Sequence, residues 1–512
     1  MSIRFKPQIV QKGPGPHLGD KALLLDEQGE VFKGKIQLSE DGFEVQHVGE
    51  HKRFSCSVRW NVEGFGYLYM PLDAGGEFYE FDASRHQVFN LNYELARTRI
   101  ARNHDRIAKL SREHWRPSNK LQEIQSLADN CLEDASKVAS DDARCGSHAQ
   151  KALLYGLKAS DLIEIEYAKS AIQVAPQRQD FMFGCDARGY FQMDPNQFLE
   201  RFTELFDYAT ITHYLIGDFI NFEETEGQKR FSERDRLLDE FLSRGIKVEG
   251  RPLYWTHTWV TPEWLKNKSY HQVLDYLEKH VREVVGHYGD RISVWEVVNE
   301  LHDWANENRL NHEQTIELTR MACEVARDTN PNVQLLINNC CPFAGYVQEG
   351  TWHDQPALYP QRTPHQFTQD LVDAGVDFDL LGVQVYYVQR TLAETVAYIE
   401  KYAQFGKGIQ LAEIGCPSHG ITQEFIDPDQ KDPTSKPYEW KRHWDEDLQA
   451  EWLEAIFSIA YARPYIEAAN WYDFVDPHGF LKSGGLLRSP QGENKKAVDK
   501  ILELRKRWFG KD

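Results

Sequence analysis

The stretch Trp295-Glu296-Val297-Val298-Asn299-Glu300 predicts a buried β-strand that ends in two adjacent polar side chains. The segment leading into it, Arg291-Ile292-Ser293-Val294-Trp295, is rich in β-branched and aromatic residues, which is typical of a strand buried on both faces. In a barrel of parallel strands, the active site lies at the C-terminal ends of the strands. The sequence therefore predicts that Asn299 and Glu300 lie at the mouth of such a barrel.

A second strand of the same kind is Gly408-Ile409-Gln410-Leu411-Ala412-Glu413-Ile414-Gly415, which carries a carboxyl group near its end. Glycoside hydrolysis requires two such groups, because one protonates the departing oxygen while the other attacks the sugar or activates water. A single glutamate at a strand end is more often solvated or ion-paired. The presence of two, with Asn299 beside the first, favours a catalytic role for Glu300 and Glu413.

Strands and helices alternate from about residue 180 onward at the spacing of βα units. Besides the two strands above, the predicted strands include Gln179 to Cys185, Tyr208 to Ile211, Ile246 to Gly250, Val333 to Leu335, and Leu380 to Gly382. This alternation predicts the α/β class, with a TIM (β/α)8 barrel over residues 176–512. The chain has 512 residues, more than one hydrophobic core usually serves, so a separate N-terminal part is expected.

Residues 1–90 are predicted to form a β-sandwich, because short alternating strands are separated by turn signals such as Asp73-Ala74-Gly75-Gly76. Its aromatic residues could form a sugar-stacking surface, which would make the sandwich carbohydrate-binding, or they could form its core. These residues are Phe65, Tyr67, Tyr69, Phe78, Tyr79 and Phe81. Residues 91–175 have helical periodicity and are predicted to bridge the sandwich and the barrel.

The charge of the chain limits its partners. Lys and Arg number 59 and Asp and Glu number 79, which gives a formal net charge of −20. This excess of acidic residues disfavours nucleic acid and anionic membranes as partners, and a polyanionic substrate would need a local basic patch. The N-terminus lacks the apolar stretch of a secretory signal. If this start is native, we expect a cytoplasmic location.

Cysteine and histidine spacing predicts neither disulfides nor a metal site. The eight cysteines contain no C-x-x-C pair, and we expect them to be reduced. Cys340 and Cys341 directly follow a predicted strand, where a functional thiol or a small buried hydrophobic residue would both fit. The 19 histidines show no spacing typical of metal ligands.

These motifs together resemble those of glycoside hydrolase family 10, the xylanase-type retaining enzymes. Trp295 to Glu300 is similar to the family signature Trp-Asp-Val-Val-Asn-Glu, and Glu413 falls where the family has its nucleophile. Other segments match in the family's order: Gly250 to Trp255, Pro262 to Trp264, His280, Tyr288, Leu335 to Asn339, Gly382 to Gln384, Asn470 to Asp473, Gly484 to Leu487, and Lys495 to Ala497. The resemblance covers the chain from about residue 180 to the C-terminus.

The resemblance implies a two-glutamate double-displacement mechanism that needs no cofactor. Glu300 would be the general acid/base and Glu413 the nucleophile. Asn299 would donate to the 2-hydroxyl of the sugar beside the nucleophile, and Gln384 would belong to the same substrate-binding set. Trp471 would form the floor beneath that sugar, unless it packs inside the barrel.

The sequence departs from the family pattern at positions that hold the sugar. Thr212, His213 and Ile216 stand where the second-strand segment normally carries Glu, Asn and Lys. Arg251 and Tyr386 each replace a histidine, as does Thr256. We therefore expect His213, Arg251 and Tyr386 to contact a xylan-like or other β-linked oligo- or polysaccharide, with poor activity on unmodified xylan. The sugar, the linkage, endo or exo action, and the oligomeric state stay open.

Two other classes of function fit parts of the sequence. A non-catalytic carbohydrate-binding or sensing protein could use the same barrel, although such a protein has no need to keep Asn299 and both glutamates. A metal-dependent hydrolase is disfavoured by the lack of ligand clusters in the sequence.

Overall fold

A computed structural model describes residues 2–8, 18–39, 41–82, 84–352, 355–386, 390–419, 440–477, 479–481 and 483–510. The strands are β1 Ile3–Lys6, β2 Leu18–Leu25, β3 Val31–Phe32, β4 Lys35–Ser39, β5 Gly42–His47, β6 Arg53–Val62, β7 Gly66–Leu72, β8 Tyr79–Glu80, β9 Gln87–Asn90, β10 Met182–Asp186, β11 Tyr208–Thr212, β12 Lys247–Arg251, β13 Val294–Asn299, β14 Gln334–Asn339, β15 Thr351–Trp352, β16 Gln355–Pro356, β17 Leu380–Val385, β18 Gly408–Ile414 and β19 Ile466–Trp471. The helices are α1 Leu91–Ser111, α2 Asn119–Lys137, α3 Asp142–Val174, α4 Pro195–Leu205, α5 Ser232–Ser243, α6 Glu263–Lys266, α7 Tyr270–Tyr288, α8 His312–Thr329, α9 Gly345–Glu349, α10 Pro364–Asp373, α11 Leu392–Ala403, α12 Glu446–Tyr461 and α13 Lys496–Phe509.

Eight strands close a parallel barrel in the order β10-β11-β12-β13-β14-β17-β18-β19. The first and last strands pair directly, with Met182 opposite Ala468. Every residue of β13 and of β17 is buried, which explains why these strands are nearly continuous apolar runs. The predicted (β/α)8 barrel is confirmed.

Helices cover the outside of the barrel by burying one face each. The helix α8 begins with a capping box, in which Asn311 accepts from the Gln314 backbone and Gln314 accepts from the Asn311 backbone, both at 2.9 Å. Its buried residues include Leu318, Ala322 and Val325, which lie three or four positions apart and form one stripe. This stripe holds the helix beside β13, whose end carries Glu300.

The N-terminal strands form two small sheets, one in the order β4-β5-β1-β9 and one in the order β3-β2-β6-β7 with β8 paired to β6. Phe5 of the first sheet contacts Tyr79 of the second, with ring centroids 5.0 Å apart. Phe65, Tyr69 and Tyr79 are buried, which favours the core interpretation of these aromatic residues. The sandwich class and the boundaries of the three predicted regions stay predictions.

The helices α1 and α3 contact the barrel region through partly buried polar contacts. Arg106 of α1 binds Glu164 of α3 and Glu400 of α11, each at 2.7 Å. Asp161 of α3 accepts a hydrogen bond of 2.8 Å from Trp440. These contacts hold α1 and α3 against residues of the barrel region.

Within the described residues, no helix is both long enough and apolar enough to span a lipid bilayer.

Candidate active site

Glu300 directly follows β13, in a backbone conformation that few residues adopt. Its φ is +56°, and its N–H donates to the carbonyl of Asn338 at 2.9 Å. Left-handed backbone at a residue other than glycine costs about 1–3 kcal/mol and is common at functional sites. The neighbouring strand β14 therefore holds Glu300 in a strained position at the barrel mouth.

The carboxyl group of Glu300 is buried between two donors. Trp255 Nε1 donates to Oε2 at 3.0 Å, and Gln384 Nε2 donates to Oε1 at 2.9 Å. Burial raises the pKa of Glu300 to about 7, and the charge of Glu413 adds to this effect. Glu300 can therefore hold a proton near neutral pH, as a general acid must.

Glu413, near the end of β18, is surrounded by hydrogen-bond donors. Arg251 Nη2 and Asn338 Nδ2 donate to Oε1, the latter at 3.0 Å. Tyr386 donates to Oε2 at 2.7 Å. Donors that include a guanidinium group stabilise the ionised carboxylate, which is the form a nucleophile requires.

A second layer beneath Glu413 fixes these donors. Asn338 Nδ2 also donates to Glu296 Oε2 at 3.0 Å, and Arg251 Nε lies 3.4 Å from the same oxygen. Glu296, Arg251 and Asn338 are all fully or almost fully buried. The orientation of Arg251 is therefore set from two sides, by Glu296 and by Glu413.

Both glutamates line one cavity of about 670 Å³ at the barrel mouth. Aromatic side chains supply much of its wall: Tyr214, Phe219, Trp255, Trp259, Trp304, Tyr386, Tyr472 and Phe480. Three of them are well exposed, Trp259 by 67%, Phe219 by 47% and Phe480 by 40%. Exposed aromatic rings at a cavity rim suit the apolar C–H faces of sugars.

Most of the predicted site residues meet in this cavity. Asn299, Arg251, Gln384 and Tyr386 line it together with Glu300 and Glu413. The Asn299 side-chain oxygen is buried and accepts no hydrogen bond from the described residues. The predicted donation from Asn299 to a sugar hydroxyl stays a prediction.

The structure does not bring His213 and Trp471 to the described part of the cavity wall. His213 is buried and its Nε2 lies 3.1 Å from the hydroxyl of Tyr288. Trp471 is fully buried and donates to the carbonyl of Gly484 at 3.0 Å. Both side chains have partners inside the protein, and their predicted contacts with sugar stay predictions.

Several cavity residues were not predicted from the sequence as site residues. Tyr472 follows Trp471 and lines the cavity in its place, while Arg188 lies in the short turn Ala187–Phe191 after β10. Both residues lie just after a barrel strand, and this position in the sequence could have identified them as candidate site residues. Cys340 and Cys341 also line the cavity and are buried, with sulfur atoms 3.1 Å apart.

Among the residues with described positions, no group of three or more His, Cys, Asp or Glu side chains is arranged to hold a metal ion.

Comparison with known proteins identifies the barrel. The model of the family described as Glycosyl hydrolase family 10 matches residues 204–503, more than half of the chain. The chain belongs to glycosyl hydrolase family 10. The family predicted from the sequence is thereby confirmed, and glycoside hydrolase is the enzyme class of that family.

Relatives of this family 10 chain include several xylanases. The beta-1,4-xylanase of Dictyoglomus thermophilum is 27% identical over 196 residues, which are 36% of this chain and 50% of that protein. Endo-1,4-beta-xylanase A of Thermoanaerobacterium saccharolyticum is 26% identical over 225 residues, 40% of this chain and 18% of that protein. Endo-1,4-beta-xylanase B of Thermotoga neapolitana is 23% identical over 305 residues, 57% of this chain and 78% of that protein. This chain thus spans half or less of the length of the first two relatives.

Solved structures of family 10 xylanases are similar to this chain. Native xylanase 10B from Thermotoga maritima aligns with a TM-score of 0.48 and 17% identity over 68% of this chain and 99% of that chain. A family 10 xylanase from Thermobacillus composti aligns with a TM-score of 0.47 and 22% identity over 63% of this chain and 96% of that chain.

Proposed function

We propose that this protein hydrolyses β-glycosidic bonds with retention of anomeric configuration, with Glu300 as the general acid/base and Glu413 as the nucleophile. The observation that carries the proposal is the contrast between two carboxyl groups in one cavity. The pKa of Glu300 is raised to about 7, whereas Glu413 accepts hydrogen bonds from Arg251, Asn338 and Tyr386. Two carboxyl groups with different protonation states can divide the acid and nucleophile roles.

The first step forms a covalent glycosyl-enzyme. The ionised Glu413 attacks the anomeric carbon while Glu300 gives its proton to the departing glycosidic oxygen. In the second step Glu300, now ionised, takes a proton from water, and that water displaces Glu413 from the sugar. This mechanism requires a separation of about 5–5.5 Å between the two carboxyl groups, which is the distance we expect.

The substrate is proposed to be a β-1,4-linked oligo- or polysaccharide, because the relatives named above are β-1,4-xylanases. The sugar beside Glu413 is proposed to differ from an unsubstituted xylose. Arg251 and Tyr386 stand where the family has histidines, and each donates a hydrogen bond to the carboxylate of Glu413. These two side chains support the nucleophile, so fewer donors remain for neutral sugar hydroxyls. The cytoplasmic location expected from the sequence stays a prediction.

The test is an incubation of the purified protein with a panel of defined β-linked oligosaccharides, followed by mass spectrometry of the products. Proton NMR of the first product formed should show the β-anomer before mutarotation. The Glu413→Gln variant serves as the control for contaminating activity. Release of the α-anomer would contradict the retaining mechanism, and binding without cleavage would favour a carbohydrate-binding protein.

A further inference from the structure

Two arginine side chains, Arg188 and Arg251, lie on one side of the active-site cavity and are called here the arginine pair. Both guanidinium groups face the ring of Tyr472, with Cζ at 4.4 Å from its centroid for Arg188 and 5.5 Å for Arg251. Because Arg251 also donates to Glu413, the pair lies on the nucleophile side. In a retaining glycosidase this side holds the glycone, the sugar that becomes attached to the enzyme.

Arg188 is anchored at one end of its guanidinium group and open at the other. Its backbone N–H and its Nε both donate to Asp186 Oδ1, each at 2.9 Å. The two Nη nitrogens have no hydrogen-bond acceptor among the described residues. The side chain lines the cavity and is 18% exposed. Asp186 therefore orients a guanidinium group whose remaining donors are available to a ligand.

Besides Glu300 and Glu413, the described cavity wall contains one acidic side chain, Asp218, which has polar partners of its own. Its Oδ2 accepts a hydrogen bond of 2.7 Å from Thr212 and lies 4.0 Å from Arg234 Nη2. Asp218 and Arg234 are both nearly inaccessible, with side chains exposed by 3% and 2%. Asp218 thus has a hydrogen-bond donor and a nearby cation of its own, although its charge also acts on Arg188.

The charge of the whole chain makes this arrangement informative. The formal net charge is −20, so the long-range field of the protein repels anions. Neutral sugars can be bound by hydroxyl and amide groups alone. A guanidinium group with free Nη donors matches the paired oxygens of a carboxylate or of a sulfate. Such charge-assisted hydrogen bonds are stronger than hydrogen bonds between neutral groups.

We propose that the arginine pair binds a negatively charged substituent on the glycone, either a uronate carboxylate or a sulfate ester, with Arg188 making the direct contact. This inference rests on the proposed function, because it specifies the substrate class of the same site. It also gives a reason for the change from the family's histidine to Arg251. Arg251 supports Glu413, and its positive charge offsets the charge of that carboxylate beside the bound anion.

The experiment uses matched pairs of substrates. One pair is a β-linked oligosaccharide that carries a uronic acid and the same oligosaccharide after carboxyl reduction. The other pair is a sulfated oligosaccharide and its desulfated product. The quantity measured is the ratio of kcat/KM for the charged and the uncharged member of each pair, and the pair with the larger ratio identifies the anion.

For the wild-type protein we expect a ratio of about ten or more in one pair, since a charge-assisted hydrogen bond contributes about tenfold to a hundredfold in affinity. Arg188→Gln should lower this ratio by about the same factor, and Arg188→Lys should lower it less. Arg244→Gln, which changes an arginine outside the cavity, should leave the ratio unchanged. A ratio near one in both pairs would overturn the proposal. A purely structural role for Arg188 would reduce cleavage of both members equally, and that outcome would also overturn it.

Binding to the Glu300→Gln variant separates this inference from the proposed function. Titration calorimetry with the same pairs should show a Kd at least about tenfold lower for the charged member, and Arg188→Gln in that background should remove the difference. If no oligosaccharide is cleaved by the wild-type protein but this preference exists, the proposed function fails and the anion site stands. If uncharged oligosaccharides are cleaved and no preference exists, the anion site fails alone.

Discussion

The guanidinium group of Arg251 is ion-paired with the carboxylate of Glu413 inside the barrel mouth. Both side chains are buried, and Glu296 holds the other side of the guanidinium at 3.4 Å. Among the described residues no cation is paired with Glu300, and burial raises the pKa of its carboxyl group to about 7. The two glutamates thus differ in their partners, and this difference supports the roles proposed for them.

Removing either glutamate should have a different effect on the two reaction steps. Glu413→Ala should abolish turnover of all substrates, because no covalent intermediate can form. Glu300→Ala should slow natural substrates by about 10²–10⁴-fold but spare the first step with activated aryl leaving groups, which need no proton. Pre-steady-state kinetics on a dinitrophenyl glycoside and on an oligosaccharide will show the difference. Equal losses on both substrates would contradict the assignment.

Activity should decline as the pH rises through about 7. Glu300 must carry a proton for the first step, and its pKa is raised to about 7, so the protonated fraction falls about tenfold per pH unit above that value. The measurement is kcat/KM from pH 5 to pH 9 with a natural oligosaccharide. The matched control is Glu300→Ala with an activated substrate, whose profile should lack this limb. If the activity of the variant also declines above pH 7, the decline belongs to the titration of another group.

Unmodified xylo-oligosaccharides should be poor substrates. The positions Thr212, Ile216 and Arg251 lack the family's side chains for sugar hydroxyls. Each lost hydrogen bond costs about 1–3 kcal/mol, so two or three losses lower kcat/KM by roughly two to four orders of magnitude. The comparison is between xylohexaose and other β-linked oligomers. Xylanase-level efficiency on xylohexaose would show that other residues restore these contacts.

The ion pairs between the N-terminal helices and the barrel should contribute to the stability of the whole chain. Arg106→Ala removes one of the two arginines that Glu164 and Glu400 share, since Arg463 also pairs with both, and should lower the free energy of unfolding by about 1–3 kcal/mol. Lys109→Ala removes a 58% exposed partner of Glu400 and should cost less than about 1 kcal/mol. Urea unfolding followed by circular dichroism measures both.

Limited proteolysis tests whether residues 1–90 form a domain that is stable without the rest of the chain. No Pro/Gly/Ser-rich linker separates the N-terminal part from the barrel, and α1 begins at Leu91 directly after β9. We therefore expect no stable fragment from cleavage near residue 90. Release of a folded, polysaccharide-binding fragment would show that the N-terminal part is an independent module.

The sequence alone determined the barrel and the position of the two glutamates along it. Strand burial is encoded locally, because a parallel strand covered on both faces must be a short apolar run, as Val294–Asn299 is. The polar residues that interrupt such runs at their ends, Glu300 and Glu413, mark the barrel mouth. Family motifs in the right order then predicted the chemistry.

Only the tertiary structure decided which side chains face the cavity and what they contact. Trp471 was predicted to lie beneath the sugar or to pack inside the barrel. Its side chain is buried, and the next residue, Tyr472, lines the cavity, because successive residues of a strand point to opposite sides. Arg251 was predicted to contact sugar, and the structure pairs it with Glu413, 162 positions away in the chain. Arg188 was not predicted at all, because its role depends on Asp186, Tyr472 and the cavity together. Such contacts join residues that are distant in sequence, and their geometry exists only after the barrel has closed.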